Sequence, residues 1–177
     1  CGGYQIKEKK LIDPNLTEGK TKQIDGLGLL DIETKFSKGK NTYQIKADMY
    51  PSSNLPYKIN NSKLEGYEIH MGESKLGKSI SPMFKIKFRS NKNCSIKDGA
   101  LSNKYDVWGT YIHGIFDNDD FRKEVINHLL KKKLGQNYDQ EMIDFKNKQE
   151  EQLDKLAKKV KDNIDLNKLY QIMDLKS

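Results

Sequence analysis

The spacing of apolar residues changes abruptly near residue 118, and this change limits the folds open to the chain. Before it, short segments such as residues 67–71 and 83–88 alternate between apolar and polar positions, and a period of two indicates β-strands. After it, apolar residues recur at helical spacing from Phe121 to Leu130, and Gly135 is typical of a helix C-cap. At 177 residues the chain is long enough for one domain and short for two, so we expect a single domain that contains both strands and helices.

The other elements follow from the same patterns. Further strands are predicted at residues 42–49 and 107–112. Further helices are predicted at residues 139–163 and 166–173. Irregular segments punctuated by Gly, Pro or Asn are expected at residues 1–30, 51–61 and 91–103. We expect residues 1–135 to form the core and residues 136–177 to add C-terminal helices.

Composition narrows the function classes. The net charge of +7 comes mostly from Lys, spread singly as on a solvated face, and no module signature indicates a nucleic-acid partner. Cys1 and Cys94 form no disulfide framework, so a reducing, cytoplasmic setting is predicted. No run approaches the roughly 20 apolar residues of a membrane span, so no membrane partner is expected.

Cys1 is the first candidate for chemistry. It is followed by Gly2 and Gly3, and glycines after a thiol let the chain turn sharply and bring backbone amides close to a developing oxyanion. A nucleophilic cysteine needs such surroundings. The alternative is an ordinary cysteine in a Gly-rich loop, and this segment alone favours that alternative.

Two histidines are further candidates. His113 ends a predicted strand beside Gly114, a position that suits a general base in a cleft, although local hydrogen bonds could equally explain it. Alternation places Glu68 and His70 on one face of their strand, where they could orient a base, bind a polar ligand, or form a surface ion pair of little energetic value. No role is assigned to His128.

The acids at the start of the first predicted helix are better explained by capping than by metal binding. They are Asp117, Asp119 and Asp120. With no other ligand set apparent, we expect no metal site.

Three segments together resemble the triad-type (class I) glutamine amidotransferases, most closely the glutaminase domain of the cobyric acid synthase family. They are Cys-Gly-Gly-Tyr-Gln at residues 1–5, Gly-Tyr-Glu-Ile-His-Met-Gly at 66–72 and Trp-Gly-Thr-Tyr-Ile-His-Gly-Ile-Phe-Asp-Asn at 108–118. Their order matches the family, and the likeness covers nearly the whole chain. It implies a flavodoxin-like α/β sandwich with a mixed sheet, here lacking its N-terminal strands.

The resemblance also implies residue roles. Cys1 would attack the glutamine amide carbon and His113 would transfer the proton. The Gly2 amide would supply half of the oxyanion hole, and Gln5 would help to hold the substrate glutamine. The released ammonia would amidate a corrin carboxylate on adenosylcobyrinic acid a,c-diamide. ATP and magnesium would bind an absent synthetase domain, and this chain is expected to hold no cofactor.

Two departures accompany the resemblance. Many class I glutaminases carry Glu two residues after the histidine, whereas Ile115 stands here. The site is therefore either a Cys–His dyad, or another group orients His113, with Glu68 and Asp117 as candidates. The strand expected before the nucleophile is also missing. We therefore expect a truncated or partial chain that folds poorly and hydrolyses glutamine weakly by itself.

Three alternatives remain open at the level of sequence. Cys1 could be an N-terminal nucleophile whose own α-amino group is the base. It could instead be the lipidated first residue of a lipoprotein binding module. Within the amidotransferases, the acceptor could be that of cobyrinic acid diamide synthase or of an enzyme that amidates cell-wall lipid precursors.

Overall fold

The computed structural model of the chain describes residues 1–51, 55, 63–104, 107–136 and 143–174. These residues separate into two compact units, Cys1–Asp139 and Gln140–Ser177. In chain order the first unit contains α1 (Gly2–Gln5), β1 (Lys10–Ile12), β2 (Gln23–Asp25), β3 (Ile32–Met49), β4 (Leu64–Leu76), β5 (Ile80–Ser81), β6 (Phe84–Arg89), β7 (Lys92–Asp98), β8 (Ala100–Ser102), β9 (Trp108–Gly109), β10 (Ile112–His113), a 3-10 turn (Ile115–Asp117) and α2 (Asp119–Leu134).

The main sheet is built on β3 and β4, which pair antiparallel along most of their length. The sheet order is β10-β4-β3-β1-β2, and β6 pairs with the last part of β3 and carries β7 on its other edge. Strand β1 runs parallel to β3, whereas β4, β6 and β10 run antiparallel to their neighbours. The predicted α/β class with a mixed sheet is therefore confirmed.

Two apolar clusters hold the first unit together. The larger one joins the sheet to α2, because Phe121 and Val125 on α2 pack with Phe84 and Ile86 on β6. The smaller one lies under α1 and consists of Tyr4, Leu30, Ile32, Ala100 and Tyr111, with Cys1 packed against it. Cys1 thus sits at the edge of a packed cluster, which restricts the position of its sulfur.

The structure corrects several predicted boundaries. Strand β3 begins ten residues before the predicted strand at 42–49, and β4 continues through Gly72 to Leu76. The turn-rich prediction for residues 91–103 is wrong, since β7 and β8 occupy most of that segment. In the segment predicted to be irregular at 1–30, α1, β1 and β2 form. These segments form strands because neighbouring strands pair with them, although their local composition does not favour β-structure.

The predicted strand at 107–112 is two short strands in different sheets. Strand β9 joins β8 and β5 in a three-stranded sheet, whereas β10 pairs with β4. The break falls at Thr110, whose hydroxyl donates to buried Asp98 and accepts from the Ile112 amide at 3.0 Å. These two hydrogen bonds of Thr110 stabilise the turn between the two sheets, after which His113 pairs with β4.

The helix after residue 118 is confirmed as α2, and Gly135 is its C-cap in the left-handed conformation, with φ 66°. The second unit contains α3 (Phe145–Asn163) and α4 (Leu166–Ile172), capped by the carboxylates of Asp144 and Asp165. The predicted start of α3 at residue 139 and most of the predicted loop at 51–61 lie outside the described residues. No described helix is long and apolar enough to cross a membrane.

Candidate active site

Helix α1 places Cys1 at its own beginning. Cys1 is the N-cap residue, and its carbonyl accepts hydrogen bonds from the amides of Tyr4 at 2.9 Å and Gln5 at 3.0 Å. The first amides of any helix lack an intrahelical acceptor. The positions that would hold a Cβ on Gly2 and Gly3 have no atom within 4 Å. The amides of Gly2 and Gly3, which follow Cys1 directly, are thus among the first of α1, and no side chain crowds them on the Cβ side.

The packing of α1 against β9 fixes this arrangement. A Cβ on Gly109 would lie 2.3 Å from the ring of Tyr4, so glycine is required there for the helix to approach the strand. The ammonium group of Lys7 donates to the carbonyl of Trp108 at 3.1 Å. Both contacts join the nucleophile segment to the segment that precedes His113.

Strand β10 holds His113 from the other side. His113 pairs with Tyr67 and Ile112 pairs with Glu68 on β4. The imidazole stacks on the ring of Tyr67 with centroids 5.0 Å apart. A Cβ on Gly66 would come within 2.4 Å of the His113 carbonyl oxygen. Glycine at 66 thus allows β10 to lie close to β4.

Cys1 and His113 meet, although 112 positions separate them in the chain. The distance from Sγ to Nε2 of His113 is 3.0 Å, and the thiol donates to the carbonyl oxygen of Ile69 at 2.6 Å. A single thiol proton cannot serve both acceptors. At rest it bonds the Ile69 carbonyl, and transfer to His113 would leave a thiolate beside the imidazolium that a nucleophile requires.

The surroundings of His113 tune it toward the neutral state. Partial burial is the largest cause that lowers the pKa of His113 below its ordinary 6.5, and the neighbouring Cys1 α-amino group and His70 lower it further. A neutral imidazole accepts a proton, so this shift keeps the base available at neutral and mildly acidic pH.

The structure places neither candidate orienter on His113. Glu68, 1% exposed, instead accepts two hydrogen bonds from Arg89, at 2.7 and 2.8 Å. Burial by itself raises the pKa of Glu68, but His70 and Arg89 outweigh it and hold that pKa below the ordinary value. Among the described residues, no carboxylate forms a hydrogen bond or ion pair with His113, and Asp117 lies beside Gly114. The described site is a Cys–His pair.

His70 shares a face with Glu68, as predicted, but the pair is buried rather than a surface ion pair. Nε2 of His70 lies 3.5 Å from a Glu68 oxygen and makes no hydrogen bond among the described residues. Nδ1 bonds the carbonyl of Gly72 at 2.8 Å, and the ring stacks on Tyr111 with centroids 4.1 Å apart. These contacts fix both His70 and Tyr111 beside the site.

Gln5 points toward Tyr111, and its amide nitrogen donates to the Tyr111 hydroxyl at 3.4 Å. Sequence reasoning assigned no role to Tyr111, to Arg89 or to the Ile69 carbonyl. Tyr111 could have been noticed, because it stands two residues before His113 in a strand-like segment. The role of the Ile69 carbonyl depends on the pairing of β10 with β4, which no local pattern encodes.

A cleft of about 590 Å³ borders the site. Its lining includes Gly72, Ser74 and Tyr111 with the ion-paired Glu68 and Arg89, but neither Cys1 nor His113. The cleft therefore lies beside the Cys–His pair without containing it. Among the described residues, no group of three or more His, Cys, Asp or Glu side chains converges as metal ligands.

Comparison with known proteins agrees with this geometry. The family model of the CobB/CobQ-like glutamine amidotransferase domain matches residues 1–121, which include both members of the Cys–His pair. The chain belongs to this family. Membership favours an enzyme over the non-enzymatic binding module considered from the sequence.

Curated relatives extend the likeness to the C-terminal helices. Cobyric acid synthase of Thermoanaerobacter sp. (strain X514) is 44% identical over 98% of this chain, and that of Listeria welshimeri is 43% identical over 98%. Cobyric acid synthase of Clostridium botulinum (strain Kyoto / Type A2) is 42% identical over 99%. The chain spans about a third of the length of these relatives, 32% to 34%.

Proposed function

We propose that this CobB/CobQ-like domain releases ammonia from glutamine through Cys1 and His113. The observation that carries the proposal is the 3.0 Å contact between Sγ of Cys1 and Nε2 of His113. Cys1 begins α1 and His113 lies on β10, and both residues contact β4. A nucleophile within hydrogen-bond reach of a base is the arrangement that covalent acyl transfer requires.

The reaction has two halves, formation of a thioester on Cys1 and its hydrolysis, and His113 transfers a proton in both. His113 accepts the thiol proton as sulfur attacks the amide carbon of glutamine, and the resulting oxyanion lies toward the Gly2 amide. His113 returns the proton to nitrogen, the C–N bond breaks and ammonia leaves a thioester on Cys1. Water, deprotonated by His113, then attacks the thioester, and glutamate leaves as the thiol is restored. Gln5 contributes to holding the substrate glutamine.

For the whole protein, we propose a cobyric acid synthase that amidates corrin carboxylates on adenosylcobyrinic acid a,c-diamide. The names of the curated relatives support this acceptor. ATP and magnesium would activate the carboxylate on a separate synthetase domain. The cytoplasm supplies both glutamine and ATP, and the two free thiols suit its reducing conditions.

The test uses Cys1→Ser and His113→Ala in the full-length protein, with glutamate release as the readout. Both variants should lose at least about 1,000-fold in kcat, because nucleophile and base act as a unit. Cys94→Ser and His128→Ala are matched controls that should retain activity. Full activity of His113→Ala would indicate the α-amino base of an N-terminal nucleophile enzyme instead.

The acceptor is tested by supplying either glutamine or ammonium chloride with ATP, magnesium and the corrinoid. Cys1→Ser should amidate the corrinoid with ammonium but not with glutamine. Failure with the corrinoid and success with another carboxylic acid would retain the glutaminase and replace the proposed acceptor.

A further inference from the structure

Glu8 is a buried acid that the proposed chemistry does not use. Its exposed fraction is 0%, and both carboxyl oxygens lack a hydrogen-bond partner among the described residues. The oxygens face the hydroxyls of Thr34 and Ser74 without reaching hydrogen-bond geometry. Burial raises the pKa of Glu8 from 4.5 to about 7, although these hydroxyls partly oppose the shift.

Three hydroxyl groups form a closed triangle next to Glu8. Thr34 Oγ1 lies 2.5 Å from Ser74 Oγ, Ser74 Oγ lies 2.8 Å from the Tyr111 hydroxyl, and that hydroxyl lies 3.3 Å from Thr34 Oγ1. Each hydroxyl has one proton to donate. Three contacts use three protons, so the intact triangle has none left for an ionised Glu8.

The protonation state of Glu8 therefore affects the hydrogen bonds of Tyr111. A neutral Glu8 carries its own proton and leaves the triangle closed. An ionised Glu8 buried among these groups would draw at least one hydroxyl proton toward itself, because an unpaired buried charge is costly. One side of the triangle would then open, and Thr34, Ser74 and Tyr111 would lose their mutual positions.

Tyr111 connects this triangle to the candidate active site. Its hydroxyl accepts the hydrogen bond from the Gln5 amide, and its ring lies between two aromatic neighbours, stacked on His70 and edge-on to Tyr4 at 4.9 Å. The ring is thus held by packing, whereas the direction of the hydroxyl is set by Thr34 and Ser74.

We propose that Tyr111 is the positioning residue that fixes Gln5 for glutamine binding, and that neutral Glu8 keeps the hydroxyls beneath Tyr111 in place. The inference rests on the proposed glutaminase function and adds to it how the substrate-holding side chain is oriented. Tyr111 does not touch the reacting atoms, so the expected effect is on the KM for glutamine rather than on kcat.

Several other ionisable groups lie near Glu8 on the elements packed around it. Tyr4 faces it from α1 and Tyr111 from the segment before β10, and burial raises the pKa of both phenols, with Glu8 contributing. Asp98, at the end of β7, acts on Tyr4. On the segment of Glu8 itself, Lys7 bonds the Trp108 carbonyl and Lys9 bonds Asp31 at 2.6 Å. Burial also raises the pKa of Asp98, to about 6. Because Asp98 is present in both wild type and Glu8→Gln, its titration cancels when the two proteins are compared.

The first experiment is a double-mutant cycle in the full-length protein with Tyr111→Phe, Gln5→Ala and their combination. Tyr111→Phe keeps the ring and should raise the KM for glutamine roughly 5-fold, as expected for one hydrogen bond, with kcat nearly unchanged. In the Gln5→Ala background, Tyr111→Phe should have no further effect. Additive effects would overturn the proposal, since Tyr111 would then not act through Gln5.

Matched variants separate positioning from general loss of structure. Tyr50→Phe removes a hydroxyl outside the network and should leave the KM unchanged. Ser74→Ala removes the 2.8 Å partner of Tyr111 without touching its ring and should reproduce the rise in KM. If Tyr111→Phe unfolds, as judged by circular dichroism, Ser74→Ala in the same cycle decides the question.

The second experiment measures the KM for glutamine between pH 6 and 8.5 in wild type and Glu8→Gln. In wild type the KM should rise above about pH 7 as Glu8 ionises, whereas Glu8→Gln, neutral throughout, should lack this rise. Titration of Cys1 and His113 is common to both proteins and cancels in the comparison. Identical KM profiles would exclude the role of Glu8.

The two proposals fail in different ways. If Cys1→Ser and His113→Ala keep glutaminase activity, the proposed function itself is wrong. If both variants are inactive but Tyr111→Phe and Ser74→Ala leave the KM unchanged, only the positioning role is wrong.

Discussion

At the scale of single residues, proton positions control the candidate site. The Cys1 thiol has two acceptors, the Ile69 carbonyl at 2.6 Å and His113 at 3.0 Å. The carbonyl accepts the thiol hydrogen bond, and the imidazole is the acceptor to which the proton would pass in the proposed reaction. Glu8 presents a comparable choice, since burial of its carboxyl group favours the protonated form.

The lowered pKa of His113 predicts the acid limb of the reaction. Because burial disfavours the imidazolium, neutral His113 persists below pH 6.5. The value of kcat/KM for glutamine should therefore fall only below pH 6.5 as pH decreases. Steady-state kinetics from pH 5 to 8 would locate this limb, and a midpoint above 6.5 would contradict the assignment of His113 as the base.

Glu8 predicts a pH dependence of stability that is independent of catalysis. The folded protein retains the Glu8 proton up to about pH 7, whereas an unfolded chain releases it near 4.5. The folded state binds more protons in this window, so stability falls as pH rises through it. Abolishing the ionisation of Glu8 would raise the free energy of unfolding by at most about 3 kcal/mol at pH 8. The melting temperature of Glu8→Gln minus that of wild type should therefore increase as pH rises from 4.5 to 7. Differential scanning fluorimetry would measure both temperatures. A constant difference between the two proteins would contradict this prediction.

At the scale of elements, β4 organises the site. Within five residues it supplies Gly66 for the approach of β10, Tyr67 as a stacking partner of His113, the Ile69 carbonyl for Cys1, and His70 against Tyr111. Its partner β3 contributes Thr34 to the hydroxyl triangle. Cys1 and His113 therefore meet because both contact one long strand.

Gly66→Ala tests the dependence of the site on strand spacing. The new Cβ would lie 2.4 Å from the His113 carbonyl oxygen and 2.8 Å from Cγ2 of Ile112, so β10 must shift away from β4. A displacement of this kind in a catalytic group costs up to about 100-fold in kcat. Gly19→Ala is the matched control, since no atom lies within 4 Å of its Cβ position. Equal glutaminase activity of the two variants would show that β10 does not position His113.

At the scale of the whole molecule, the two units differ in how they are stabilised. The first unit has two buried apolar clusters. In the second unit neither α3 nor α4 has a buried residue, and Leu153, Leu156 and Val160 of α3 are exposed by 45% to 59%. Isolated helices of this length are marginal in water, because most helix stability comes from packing.

Hydrogen exchange should reveal this difference. Amides of α3 should exchange orders of magnitude faster than amides of β3 and β4, because local opening of an unburied helix costs little free energy. Mass spectrometry of the full-length protein over seconds to hours would measure both. Slow exchange in α3 would instead show that its apolar stripe is covered in solution.

Much of the architecture could be predicted from local patterns. The period change near residue 118 indicated α2, and alternation placed Glu68 and His70 on one face, as observed. The α/β class was implied by the resemblance of three segments to the amidotransferases. The misplaced boundaries share one cause. Strands β7 and β8 and the first half of β3 contain polar or turn-forming residues, and they are strands because neighbouring strands pair with them.

The sequence by itself determined which residues could react: a thiol followed by glycines at position 1, and an imidazole at the end of a strand at position 113. Only the tertiary structure decided that they meet, that the Ile69 carbonyl holds the thiol, and that Glu8 is buried. Chemical identity and local period are written residue by residue, so they can be read directly. The register of β10 on β4 and the burial of an acid among lysines depend on contacts far apart in the chain, and no local window contains them.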